Sequence, residues 1–181
     1  MKMINLTINN IPVSVPEWTT ILQAAKQIGV EIPSLCYLKD INCIGACRVC
    51  VVEIVGRRGL TASCTYPVEE GMKVLTNTPA VRASRKTTLE LILSTHNTKC
   101  LSCERSGKCE LQKLANEYGV DEDRFAVEDE LVPVDYSTPY VVRDNNKCVN
   151  CQRCISACGK MQSVGATGKI RRGYDVHVGS P

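Results

Sequence analysis

The sequence predicts an α+β chain assembled from small domains around cysteine-rich sites, and three observations carry that expectation. Apolar and polar residues alternate on both sides of an Asn9-Asn10 pair near the N-terminus, the signature of a hairpin with one buried face. Helical periodicity follows directly, from Thr20 to Ile28. Eleven of the twelve cysteines then fall into three groups: Cys36, Cys47, Cys50 and Cys64; Cys100, Cys103 and Cys109 behind His96; and Cys148, Cys151, Cys154 and Cys158.

Each element has its own justification. Ile4, Leu6 and Ile8 form the inward face of the first strand, and Ile11, Val13 and Val15 that of the second. Thr20 with Gln23 fits a capping box, Ile21, Leu22, Ala25 and Ile28 give one apolar helix face, and Gly29 stands where that helix should stop. Val51 to Val55 reads as a strand, Gly56-Arg57-Arg58-Gly59 as a turn, and Leu60 to Ser63 as the partner strand. Met72 to Thr76 reads as a last strand, closing a first domain over residues 1–77. Thr78-Pro79 opens a second helix with a capping residue and a proline at the first helical position. Val81, Leu89, Ile92 and Leu93 are its expected apolar face toward the neighbouring domain, with Arg82, Arg85 and Lys86 outward. A short helix over Glu110 to Tyr118, ended by Gly119, completes a second domain over residues 78–119.

Residues 120–138 read as an acidic surface connector (Asp121, Glu122, Asp123, Glu128, Asp129, Glu130, Asp135) held by Phe125, Leu131 and Val132. Residues 139–181 form the third domain. Composition removes several function classes. A net charge of +3 with no basic run gives no footprint for nucleic acid. No apolar run approaches membrane-spanning length, and Met1-Lys2-Met3-Ile4-Asn5 is no signal peptide, so a cytoplasmic location is expected. No Gly-x-Gly-x-x-Gly occurs, and Gly165-Ala166-Thr167-Gly168-Lys169 is too short for a P-loop.

With a disulfide scaffold disfavoured outside secreted chains, metal binding is the natural use of the cysteines. Three soft-ligand groups in one short chain point to iron–sulfur clusters, with structural zinc as the competing occupant. One Phe and one Trp leave a thin aromatic core, which a bound metal would compensate. In the first group, Cys36-x10-Cys47-x2-Cys50 precedes Cys64 by x13, and Gly45-Ala46 keeps the loop lean enough for backbone amides to approach sulfur. The third group, Cys148-x2-Cys151-x2-Cys154-x3-Cys158, is the ferredoxin run for a 4Fe–4S cluster. The fourth cysteine of such a run crosses to a twin cluster in two-cluster ferredoxins, and no second run is present. Cys158 therefore serves either the same cluster or another, and the third domain is expected to be incomplete on its own.

The runs Ile32-Pro33-Ser34-Leu35-Cys36-Tyr37-Leu38-Lys39-Asp40 and Gly45-Ala46-Cys47-Arg48-Val49-Cys50 resemble the β-grasp 2Fe–2S domain of a known group. That group comprises [FeFe] hydrogenases, the diaphorase small subunit of NAD-reducing hydrogenases and the large peripheral subunit of complex I. The resemblance implies that Cys36, Cys47, Cys50 and Cys64 hold one 2Fe–2S cluster and leaves Cys43 as a loop thiol. His96-x3-Cys100-x2-Cys103-x5-Cys109 resembles the His/Cys3 4Fe–4S site of the same family, so at least two 4Fe–4S clusters are implied. His177 has no such company and reads as a surface residue.

What the resemblance implies is the N-terminal electron-transfer part of an electron-bifurcating [FeFe] hydrogenase catalytic subunit. Its partners would be flavin- and NAD-binding subunits, with ferredoxin as a further one. A diaphorase, complex I-like or formate dehydrogenase electron-input subunit is the alternative, and a zinc-stapled interaction module the second. No cysteine follows Cys158, so these 181 residues hold no catalytic site for hydrogen.

Overall fold

The computed structural model describes residues 2–121, 124–125 and 132–180. They divide into two compact units, Met1–Tyr37 with Cys43–Thr88, and Leu38–Asn42 with Leu89–Pro181. The architecture is mixed α+β.

In the first unit, β1 (Met3–Ile8) and β2 (Ile11–Pro16) pair antiparallel from Ile8↔Ile11 outward. Asn9 and Asn10 take φ of 50° and 65°, the double left-handed turn that matches strand twist in two-residue hairpins. Ile4, Leu6 and Ile8 are buried as expected, but on β2 only Val15 is, while Ile11 is exposed and Val13 half-buried. The reason is position: β2 is an edge of the five-stranded sheet, whose order is β2-β1-β5-β3-β4. Here β3 is Val51–Ile54, β4 Leu60–Ala62 and β5 Lys73–Leu75. The last strand runs between β1, to which it is parallel, and β3, to which it is antiparallel.

The helix α1 (Ile21–Gln27) starts with the expected capping box: Gln23 N–H donates to Thr20 Oγ1, and Thr20 N–H to Gln23 Oε1. It ends in a Schellman turn, with Val30 N–H on Ala25 O and Gly29 N–H on Lys26 O, and Gly29 at φ 72°. Ile21, Leu22, Ala24 and Ala25 pack in one core with Ile4, Leu6 and Ile8 of β1, Val52 and Ile54 of β3 and Val74 of β5.

The helix α2 (Pro79–Leu93) begins where Thr78 Oγ1 accepts from Val81 N–H. Val81, Leu89 and Leu93 are buried, and Arg82 is exposed. Arg85 departs from its expected outward place. It is buried, and its Nη2 donates to the Val51 carbonyl of β3 at 2.8 Å, so the guanidinium satisfies main chain instead of meeting water. Lys86 is half-buried. Glu90, on the same helix, is also buried, and its Oε2 pairs with Arg124 Nη1 at 2.8 Å.

In the second unit, α3 (Glu110–Tyr118) buries Leu111, Leu114 and Tyr118 and ends at Gly119, as its spacing predicts. The helix α4 (Arg153–Lys160) carries the end of the third cysteine run. It is followed by a strand pair absent from the sequence expectation, β6 (Gly168–Ile170) and β7 (His177–Gly179), antiparallel with Ile170 opposite His177. A Cβ on Gly179 would lie 2.4 Å from Ile170 Cδ1, so a larger residue there would require the Ile170 side chain to move. His177 is half-buried in β7 with Nδ1 2.9 Å from Asp175 O, a local contact at the surface.

Most of the acidic connector (Glu122, Asp123, Glu128, Asp129, Glu130), with Leu131, lies outside the described residues. At its edges, Phe125 is half-buried beneath the Arg124 guanidinium. Val132 is exposed and held by its main chain, which exchanges two hydrogen bonds with the Asn146 carboxamide.

Candidate iron–sulfur sites

The first site is built into the core of the first unit. Cys36, Cys50 and Cys64 are fully buried and Cys47 nearly so, whereas Cys43 is exposed. Gly45 at φ 63° and Arg48 at φ 56° bend the loop tightly around Cys47, and a Cβ on Gly45 would press to 3.4 Å from Thr65 Cγ2. That turn aims the Cys47 N–H at Cys36 Sγ, 3.5 Å away. Cys64 is placed from the other side. The first N–H groups of α1, which have no partner inside a helix, donate from Leu22 to Ser63 O and from Ile21 to Tyr66 O. Ser63 in turn binds the Cys50 carbonyl through both its amide and its hydroxyl.

The four thiols hydrogen-bond among themselves, Cys36 with Cys47 and Cys64, and Cys50 with Cys64. S–H donors from Cys47 and then Cys64 pull Cys36 down to about 2, and the Cys64 donor pulls Cys50 down to about 6. Cys47, hydrogen-bonded to Cys36, and Cys64, hydrogen-bonded to Cys36 and Cys50, are pushed up, with burial adding to both. Packed thiols therefore share protons and cannot all ionise against one another. A cationic metal core in place of those protons would let all four become thiolates, and the donor set fits such a group. Among the described residues, no three His, Cys, Asp or Glu side chains are arranged to hold a single metal ion.

The second set lies in the second unit. The amide of His96 donates to Leu93 O at the end of α2. A short 3₁₀ turn spans Cys100–Ser102, and Cys109 immediately precedes α3. Asn97 Oδ1 accepts from Lys99 N–H and starts the loop, while Gly107 N–H donates to Gln112 Oε1 and anchors its far end. The three thiols are half-buried. The Cys103 amide donates to Cys100 O at 3.1 Å and the Cys100 amide to Thr98 O, so main-chain turns shape the segment that carries these thiols. Burial, the largest influence, pushes the His96 imidazole below its ordinary range and Lys147 adds to this; the Cys148 main chain and Asp144 oppose it. The neutral imidazole, the form that binds metal, is thus favoured. Its buried Nδ1 has no protein partner, a cost in an interior unless another group meets the ring. The donors fit a metal centre.

In the third run, Asn150 and Gln152 take left-handed φ values of 50° and 62° on either side of Cys151. The Asn150 amide donates to Cys148 Sγ at 3.4 Å. Burial pushes the Cys148 thiol up, and the neighbouring Cys151 and Cys154 charges push it further. Cys158 stands apart: its Sγ accepts from the Ala166 amide at 3.3 Å, and that bond, with others from Thr167 and Gly165, pulls it toward thiolate. The Cys158 sulfur thus meets the loop before β6, while Cys148 is influenced by Cys151 and Cys154.

Residues 1–79 match a 2Fe-2S iron-sulfur cluster binding domain, and residues 85–124 match the NADH-ubiquinone oxidoreductase-G iron-sulfur binding region. A chain in the crystal structure of an NAD+-reducing [NiFe]-hydrogenase in the H2-reduced state superposes with a TM-score of 0.87 at 31% identity, covering 98% of this chain and 74% of that one. This chain belongs to the family of iron–sulfur subunits shared by NAD(P)-reducing hydrogenases and complex I. Two relatives bracket the family. The NADP-reducing hydrogenase subunit HndD of Solidesulfovibrio fructosivorans is 44% identical over 98% of this chain, and the NADH-ubiquinone oxidoreductase 75 kDa subunit of Reclinomonas americana is 36% identical over 97%. The chain spans 31% and 26% of their lengths. As a member of this family it is an iron–sulfur electron-transfer module with a 2Fe–2S domain and a 4Fe–4S-binding region. Among the described residues no helix is long and apolar enough to cross a membrane.

Within the family frame, Cys43 is the odd thiol. Its exposure separates it from the buried four, so Cys43→Ser should retain the 2Fe–2S EPR signal, the iron count and the thermal midpoint of the parent protein. Loss of the cluster in that variant, with retention in Cys36→Ser, would exchange the two in the ligand set. Sequence reasoning missed Asn42 and Ser63, both fully buried beside cysteine main chain, because neither sits in a recognisable spacing.

Proposed function

We propose that this chain carries electrons between a flavin- and NAD(H)-binding subunit and further clusters or the hydrogen-activating centre of an electron-bifurcating [FeFe] hydrogenase. The observation that carries this choice of parent enzyme is the 44% identity to a subunit named as an NADP-reducing hydrogenase component. The close superposition on an NAD+-reducing [NiFe]-hydrogenase chain favours, as second reading, a diaphorase-type subunit of the same family. Ferredoxin as a further partner, and a cytoplasmic location, belong to the first reading.

In this proposal residues 1–77 are a β-grasp domain, a reading supported by the β2-β1-β5-β3-β4 order and the crossing α1. Cys36, Cys47, Cys50 and Cys64 hold a 2Fe–2S cluster there. Residues 78–119 hold a 4Fe–4S cluster on His96, Cys100, Cys103 and Cys109, residues 120–138 connect, and residues 139–181 hold a second 4Fe–4S cluster on Cys148, Cys151 and Cys154. Cys158 serves a separate cluster, which its pairing with the Ala166 amide supports. Bound clusters supply one-electron redox chemistry, and the chain sets their spacing, ligand charge and exposure to water.

An anaerobic EPR redox titration with iron and acid-labile sulfide counts tests this. One 2Fe–2S and at least two 4Fe–4S signals are expected, together with reduction by NAD(P)H only when the flavin subunit is present. A colourless, sulfide-free, zinc-loaded protein would overturn the electron-transfer reading in favour of a zinc-stapled module.

A further inference from the structure

Residues 38–42 lie in sequence between the first-site cysteines Cys36 and Cys47, yet by their contacts they belong to the unit that holds the third cysteine run. They close into a tight turn, with Leu38 N–H on Asn42 O at 3.0 Å and Asn42 N–H on Leu38 O at 2.8 Å. Asn42 is fully buried. Its Nδ2 donates to the Cys151 carbonyl at 3.0 Å, and its Oδ1 accepts from the Ser156 hydroxyl at 2.6 Å. Further along α4, Lys160 Nζ donates to Ile41 O at 2.8 Å.

A buried carboxamide must have its donors and acceptor met, and both of these contacts go to the third run. One partner is the main chain of a candidate ligand, and the other lies between Cys154 and Cys158. The loop they hold includes one residue, Gln152, in a conformation its side chain does not favour. Asn150, a residue that accepts the left-handed region, precedes Cys151, and Gln152, which does not, follows it there, a conformation that persists where surrounding structure enforces it. The peptide is planar and trans, so pinning the Cys151 carbonyl also fixes the direction of the Gln152 N–H on the opposite edge. One side chain, remote in sequence, thereby sets the orientation of a peptide inside the ligand loop.

We propose that Asn42 is a positioning residue for the third iron–sulfur site. Its carboxamide holds the Cys151 carbonyl and the Ser156 hydroxyl so that the Cys148–Cys154 loop keeps the conformation that binds a cluster. The role rests on the reading of Cys148, Cys151 and Cys154 as cluster ligands. Outer-shell partners of metal ligands are worth roughly 10–100-fold in metal affinity, which sets the expected effect.

The test uses the full-length natural subunit in its complex, prepared anaerobically, with Asn42→Ala, Asn42→Asp, Ser156→Ala and Ser156→Thr. Asn42→Asp keeps an acceptor for Ser156 but removes the donor to Cys151. Three quantities are read: loss of each cluster's EPR signal to an iron chelator, the potential of the third cluster, and amide hydrogen exchange across residues 148–154 in cluster-free protein. In Asn42→Ala the third cluster should be lost roughly tenfold faster, with a shifted potential and an unaltered 2Fe–2S signal. Asn42→Asp should reproduce that loss, Ser156→Ala should give a smaller one, and Ser156→Thr should restore the parent behaviour. Amides of the loop should exchange faster in Asn42→Ala even without iron. Parent-like chelation and potential in Asn42→Ala would overturn the positioning role alone. Equal acceleration at the 2Fe–2S cluster would overturn it too, by making Asn42 a general support of the fold. A parent protein with no third cluster would overturn the ligand reading and the positioning role together.

Discussion

Cys47→Ala should erase the 2Fe–2S EPR signal and leave the other cluster signals in place. The four thiols of this site are packed so closely that they hydrogen-bond to each other, and the Cys47 thiol is the largest single influence on Cys36. Alanine removes one proposed ligand and that donor together. It leaves Cys36, Cys50 and Cys64 buried in the core with no means of becoming thiolates in concert. Because metal binding here is also folding free energy, the effect extends to stability. A loss of more than about 4 kcal/mol is expected, the range associated with losing a metal centre, against about 1 kcal/mol for an ordinary point change. Thermal unfolding of the first unit, followed beside the EPR spectrum, measures both. An unchanged spectrum would remove Cys47 from the ligand set. The exposed Cys43, four residues away in sequence, is the internal control, since its replacement should do neither.

The fold was legible where local chemistry decides it. The Asn9-Asn10 turn, the Thr20/Gln23 box, the Gly29 and Gly119 stops and the Thr78-Pro79 start are each short-range signals, and each stands in the structure as expected. What was not legible depends on partners distant in sequence. The lost burial on β2 follows from its edge position, which alternation cannot reveal. Arg85 looked like one of three outward cations because helical spacing places it beside Arg82. Its real partner is a carbonyl on β3, 34 residues away. The β6–β7 pair was missed because three-residue strands give too little alternation to register.

Spacing sorts the cysteines into candidate groups but does not show how each group is packed. Only coordinates reveal that the first set is buried and mutually hydrogen-bonded while the second is half-buried. The spacing of the third run left Cys158 open between two roles. In the structure the Cys158 sulfur accepts from the Ala166 amide, a contact that the spacing of the run does not announce. Asn42 carried no signal at all, because its partners at Cys151 and Ser156 lie more than a hundred residues on.

His96→Ala should weaken or abolish the 4Fe–4S cluster of the second site, and His96→Cys should keep the cluster at a lower potential. The argument is one of ligand charge. Burial favours the neutral imidazole, and in either protonation state the ring adds no negative charge as a ligand. A thiolate in its place adds one full charge, and added negative charge opposes the arriving electron. Exchanging cysteine for histidine ligands in 2Fe–2S centres moves potentials by hundreds of millivolts, so a drop on the order of 100 mV for one ligand is expected. EPR-monitored titration of both variants in one buffer measures it. Alanine separates ligation from packing, since it opens the space around the ring and offers iron nothing. An Ala variant with full iron and an unmoved potential would make His96 an ordinary half-buried residue, and a Cys variant at a higher potential would overturn the charge argument while leaving the ligand assignment standing.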